Sequence, residues 1–144
     1  MQTLRIQDST IRLAVNGDEG RVVAFDPTSI EFVEKFYGLV GAFEKKEQEY
    51  KERSAELDKD ASVDAYGIPV NAPERIALLR ETCEFTRAQI DHVFGAGTSK
   101  AAFGDALSLE VFPQFFEGIT PFVQKARQGK TDKYLGKAKG GVMA

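Results

Sequence analysis

The chain reads as a mainly α-helical α+β domain opened by a β-hairpin and closed by a disordered, basic C-terminal tail. Three features carry that reading. Alternating apolar residues on either side of Asn16-Gly17 mark a hairpin. Two long segments repeat their apolar residues at three- and four-residue spacing, the period of a helix face. A glycine-dense turn, Gly95-Ala96-Gly97, then leads into a phenylalanine-rich stretch ending at Val123. With 144 residues, of which 42% are hydrophobic, one domain is expected over residues 1–128.

Residues 1–26 hold the strands. Leu4 and Ile6 alternate with polar residues, then Ile11, Leu13 and Val15, and after the turn Val22, Val23 and Phe25. An isolated hairpin is marginal in water, so it must lean on apolar surface downstream. Residues 27–60 form one long helix. Either Asp26 caps it with Pro27 in the first position, or Thr28 and Glu31 form a capping box. Phe32, Phe36, Val40 and Phe43 make its core face. From Glu44 the helix is nearly all charge. Tyr50 and Leu57 continue a loose seven-residue repeat there, and a solvated helix held by charge pairs is preferred over a coiled-coil arm.

Residues 61–72, punctuated by Gly67, Pro69 and Asn71, read as a linker. Residues 73–128 are the helical core. Pro73 opens a helix with Ile76, Leu79, Cys83, Thr86, Ile90 and Val93 on its buried stripe, widened by Phe85 and Phe94, and Gly95 closes it in a left-handed cap. Thr98 or Ser99 caps a short helix that runs to Phe103 and stops at Gly104. Ser108 caps the next segment, whose apolar side carries Phe112, Phe115 and Phe116. Pro113 fits only a first turn, and Gly118 with Thr120-Pro121 predicts a break before Phe122 and Val123. Residues 129–144 have few apolar side chains, four lysines and one acid, which predicts a flexible tail.

The chain offers little chemistry. His92 and Cys83 are its only histidine and cysteine, nine residues apart and about half a turn out of phase on one helix. That spacing argues against a metal site and against a Cys–His or Ser–His–Asp arrangement. Gly95–Lys100 resembles a phosphate loop at first sight, but Lys100 follows the hydroxyls and no glycine directly precedes it. The turn is therefore a helix cap with room for an anion at most. No enzyme, cofactor or metal is expected. A net charge of −3 gives no bias toward nucleic acid, and no apolar run approaches a membrane span. A lone cysteine and the lack of a leader point to the cytoplasm.

The order of elements resembles a known family. A short hairpin precedes Phe25-Asp26-Pro27, which opens a helix with Phe32, Phe36 and Tyr37. A charged spacer follows. Then come Glu84-Phe85 through Val93-Phe94-Gly95, Gly97-Thr98-Ser99, and Phe103-Gly104-Asp105 leading to Phe115-Phe116. This arrangement is similar to the tail assembly chaperones of long-tailed bacteriophages and prophages of Gram-positive bacteria. The resemblance covers most of residues 4–128, and its motifs are structural. It implies a non-enzymatic protein in the bacterial host cytoplasm that coats the aggregation-prone tape measure protein and helps recruit the tail tube protein. The contact residues expected under that reading are Phe103, Phe112, Phe115, Phe116 and Phe122, with Tyr50 and Leu57 on the charged helix. The plainer reading places the phenylalanines in the core. An alternative function is a structural virion component of tail-completion or connector type that acts through homo-oligomerisation.

Overall fold

A computed structural model describes residues 1–126. It shows the mainly α-helical α+β architecture with its N-terminal antiparallel hairpin. The hairpin pairs β1 (Ile11–Val15) with β2 (Asp18–Phe25). Asn16 and Gly17 both adopt positive φ, 54° and 77°, as a two-residue type I′ loop requires and as few residues other than Asn and Gly tolerate. A register shift between Ala14 and Val15 lengthens β2 relative to β1. The expected strand at Leu4 and Ile6 does not form: residues 1–10 have no regular structure, and both side chains are exposed. The tail expected at 129–144 lies outside the described residues.

Helix α1 (Ile30–Asp58) begins later than either expected cap. Ser29 is its N-cap and accepts a hydrogen bond from the Phe32 N–H at 3.3 Å. The Asp26 carboxylate is engaged by Thr28, through the backbone N–H at 2.9 Å and the hydroxyl at 2.6 Å, so both candidate caps serve the turn before the helix. Helix α2 (Ala72–Phe94) packs against α1. Its start is fixed by Asn71 and Arg75: the Asn71 amide donates to the Leu57 carbonyl at 2.8 Å, and Arg75 pairs with Asp58 at 2.6 Å. The charged half of α1 is thus one arm of an α1–α2 hairpin. Arg53 and Lys46 both reach Glu81 of α2, at 3.0 and 3.7 Å.

Helix α3 (Thr98–Phe103) follows the Gly95–Gly97 turn as expected, but its N-cap is Gly97, without a side-chain cap, rather than Thr98 or Ser99. Gly97 is in the left-handed region, whereas Gly95, at φ 117° and ψ 152°, is not. Helix α4 covers residues 111–126, with Pro113 in its first turn. The break expected at Thr120-Pro121 is absent. Ile119 and Val123, on either side of Pro121, are both buried, and the Thr120 hydroxyl donates to the Phe116 carbonyl at 2.6 Å. Packing of this face holds the helix across a proline that removes one backbone hydrogen bond.

One core joins these elements. Val23 and Phe25 of the hairpin, Phe36, Leu39 and Phe43 of α1, Cys83 and Ile90 of α2, and Phe112, Phe115, Phe116, Ile119 and Val123 of α4 form a single buried cluster. Phe94 is its hub, meeting Phe25, Phe32, Phe36 and Phe115 edge-on at centroid separations of 5.2–6.1 Å. The stripe of α2 holds at Leu79, Cys83, Thr86, Ile90 and Val93 and departs from the expected one at its start. Leu78 and Thr82 are buried while Ile76 is exposed. The Thr82 and Thr86 hydroxyls donate to the carbonyls one turn earlier, at 2.9 and 3.0 Å, and so enter the core satisfied.

Two arginines fix α3 to the rest. Arg21 of β2 donates from Nε to the Ala101 carbonyl at 2.8 Å and from Nη2 to the Ala102 carbonyl at 3.0 Å. Arg87 of α2 reaches the Ala106 carbonyl at 2.8 Å and lies 5.8 Å from the Phe103 ring centroid. Hydrogen bonds to a charged donor contribute about 1.5–3 kcal/mol. Arg21→Ala is accordingly expected to lower stability by roughly that amount in urea unfolding. Arg21→Lys should recover only part of it, because an ammonium cannot present two parallel donors.

Candidate functional site

The residues expected to touch a partner divide sharply. Phe112, Phe115 and Phe116 are interior, with Phe112 wholly buried. Phe103 is half-buried against Phe112 and Phe115, at 5.2 and 5.5 Å. Tyr50 and Leu57 are half-buried along the α1–α2 seam, facing Ile76, Leu78 and Leu79. Their seven-residue repeat is used within the chain. Phe122 alone of the seven is exposed, at 39%.

The larger exposed apolar surface lies where a linker was expected. Residues 61–71 form a tight, internally bonded tip between α1 and α2. Val63 and Pro69 form an antiparallel bridge. The Asp64 N–H donates to the Ile68 carbonyl at 2.8 Å, and the Val70 N–H donates to the Ser62 carbonyl at 3.0 Å. The Asp64 carboxylate then turns inward and accepts from the N–H groups of Tyr66 and Ile68, at 2.8 and 3.0 Å. Gly67 sits at φ 78°, which closes the turn.

This scaffold displays Tyr66, 89% exposed, with Val63, Ile68, Val70 and the adjacent Ile76 each more than half exposed. Four of the five lie on the ordered tip and Ile76 on α2, and exposed apolar side chains concentrated in this way are the kind of surface found at interaction sites. Asp58, Asp60, Asp64 and Glu74 surround it in sequence. Hydrogen bonds from Ser62, its side chain first and its backbone N–H second, hold the Asp60 carboxyl below the usual carboxylate range. A depressed native pKa stabilises the fold above the unfolded value of about 4, and that contribution is lost as pH falls through the native value. Asp60 is exposed, so salt screens the effect.

The sequence signal for this tip was Asp64. An aspartate two and four residues before backbone N–H groups it can accept from, followed by Gly67, is a turn-forming combination. The glycine and proline punctuation hid it by suggesting a flexible connection.

The other chemical candidates resolve differently. The N–H of Ser99 donates to the Asp91 carboxylate at 2.7 Å, and its hydroxyl donates at 2.9 Å. A side-chain carboxylate from α2 therefore occupies the start of α3 where an external anion was considered, and its charge would repel one. Cys83 is wholly buried, and burial pushes its thiol pKa up, away from the thiolate needed for nucleophilic chemistry. His92 is exposed. Among the described residues, no group of His, Cys, Asp and Glu stands together as a metal site, and no helix is long and apolar enough to cross a membrane.

Neither a curated protein nor a solved structure matches the chain. A protein family described as a family of unknown function (DUF6673) matches residues 19–140, from the start of β2 to beyond α4. That span takes in the tip, the whole helical core and most of the basic tail, and the chain belongs to this family.

Proposed function

We propose that the protein is a non-enzymatic tail assembly chaperone that acts in the bacterial host cytoplasm and binds the tape measure protein during phage tail morphogenesis. The observation that carries this reading is the ordered apolar tip at residues 61–71. A chaperone for a long helical protein must recognise apolar stripes without depending on one sequence. A small preorganised cluster of Tyr, Ile and Val side chains does so at little entropic cost, because the loop is already folded. The order of hairpin, helix, charged spacer, glycine turn and phenylalanine segment supports the same reading through its resemblance to that family. Recruitment of the tail tube protein follows from the resemblance alone.

Co-expression with the tape measure protein of the same phage tests the proposal. The tape measure protein should shift from the pellet to the soluble fraction and co-purify with this chain. An insoluble tape measure protein, with no complex at micromolar concentrations, would overturn the reading.

A structural virion component acting by homo-oligomerisation is the second reading. It is favoured by Leu4 and Ile6, each 84% exposed on a segment with a strand-like period. Mass analysis of purified particles separates the two, since a chaperone should be missing from the finished particle.

A further inference from the structure

The tip carries more negative charge than it neutralises. Residues 56–76 hold Glu56, Asp58, Asp60, Asp64 and Glu74 against Lys59 and Arg75. Both cations are already engaged, Lys59 by Glu56 at 2.7 Å and Arg75 by Asp58 at 2.6 Å. Asp60, Asp64 and Glu74 have no ion-pair partner among the described residues. Asp60 and Asp64 are turned onto the loop backbone, where they accept from the N–H groups of Ser62, Tyr66 and Ile68. Glu74 differs from both, standing exposed in the first turn of α2. An acid there suits the helix dipole, but its surroundings suit a cation.

Glu74 lines an open groove of about 260 Å³ at the tip end of the α1–α2 seam, with Arg53, Glu56, Leu57 and Leu78. Arg53 is drawn along the seam to Glu49 and Glu81, at 3.5 and 3.0 Å. With Glu56 held by Lys59, Glu74 is the unpaired carboxylate of this lining. Leu57 and Leu78 also line the adjoining recess, which includes Ile76. Apolar surface is therefore continuous from the groove to the exposed Ile76 beside the tip.

An apolar floor with one unpaired carboxylate beside it fits a long cationic side chain. Lysine and arginine lay their methylene stems along apolar surface and keep the charged end in water. Here the stem would cross Leu57 and Leu78, and the charge would reach Glu74. The unpaired acids of the tip also disfavour an acidic partner or an anionic lipid surface, because like charges brought together are costly.

We propose that the tip and this groove form one docking surface for an amphipathic helix whose apolar stripe is flanked by lysine or arginine. The stripe meets Tyr66, Ile68 and Ile76, and a basic side chain on its flank lies over Leu57 and Leu78 to pair with Glu74. Apolar contact supplies most of the attraction, and charge sets register and selects among apolar helices. The helical form of the partner rests on the chaperone reading, whereas its cationic flank rests on the charges of the tip itself.

Two synthetic helical peptides with the same leucine stripe, flanked by lysine in one and glutamate in the other, test the proposal. Fluorescence anisotropy with the full chain should give the lysine peptide an affinity at least about tenfold higher, by a ratio that shrinks as salt rises. Glu74→Gln should weaken the lysine peptide and leave the glutamate peptide no weaker. Glu117→Gln, which removes an exposed acid from α4, should change neither. Tyr66→Ser with Ile68→Ser should weaken both peptides. No binding of either peptide, equal affinity for the two, or equal effects of Glu74→Gln and Glu117→Gln overturns the proposal. Sedimentation of the chain with phosphatidylcholine vesicles, without peptide binding, also overturns it, by assigning the tip to a lipid surface. A lysine preference alongside a tape measure protein that stays insoluble supports this surface and removes the chaperone reading. A soluble, co-purified tape measure protein without a lysine preference supports that reading and removes this surface.

Discussion

Phe112→Ala is expected to lower the free energy of unfolding by about 3–5 kcal/mol, the range for emptying a buried phenylalanine site. Phe112 is wholly buried, and its ring meets Phe43 at 5.7 Å and Phe103 at 5.2 Å. It therefore joins α4 to both α1 and α3. Collapse around the cavity is limited because Phe43 and Phe103 are themselves held, Phe43 by Phe116 at 5.3 Å and Phe103 by Phe115 at 5.5 Å. A domain of this size has about 5–15 kcal/mol in total, so the variant sits at the edge of folding. Thermal unfolding should show a fall of at least about 10 °C. Phe122→Ala is the control: it is exposed, and its change should stay within about 1 kcal/mol. Equal losses from the two variants would mean that α4 is not packed by the Phe112 face.

The contrast between these two phenylalanines shows what was legible in the sequence. Spacing places Phe112, Phe115 and Phe116 on one face, and that face is buried. Spacing cannot say whether an apolar face meets its own chain or another, because both give the same pattern. The hairpin was legible because Asn16-Gly17 is a local backbone requirement, and α3 was legible because glycines bound it on both sides. The start of α1 was not, since Asp26, Thr28 and Ser29 all carry capping side chains, and only the competition for Asp26 by Thr28 leaves the role to Ser29. On α2, Ile76 and Leu78 compete for the inward position. Both line the seam with Tyr50 and Leu57 of α1, yet Leu78 is buried and Ile76 exposed, a tertiary outcome with no local trace. Pro121 misled for a similar reason: the penalty of a helical proline is local, whereas the burial of Ile119 and Val123 that outweighs it is not.

The tip makes a prediction that separates folding from binding. A Tyr66→Asp, Ile68→Asp double variant should leave stability within about 0.5 kcal/mol of the native chain, since both side chains are exposed and away from the core. Under the proposed function, its yield of co-purified tape measure protein should fall at least about tenfold, the equivalent of about 1.4 kcal/mol.

Asp64→Ala then tests what order in the tip contributes to the proposed binding. It removes no apolar atom, yet it deprives the Tyr66 and Ile68 N–H groups of their shared acceptor. The loop must then be ordered at the moment of binding, at about 1–2 kcal/mol per residue fixed. Asp64→Ala should therefore weaken capture while the patch stays chemically intact. Asp64→Asn, which keeps an acceptor oxygen in place, should restore much of it. If charge rather than order were the contribution of Asp64, the asparagine variant would be as defective as the alanine one. If the tip were not the docking surface, all three variants would retain the partner, and loss on changing Phe122 or Leu4 and Ile6 would move the site to α4 or to the N-terminal segment.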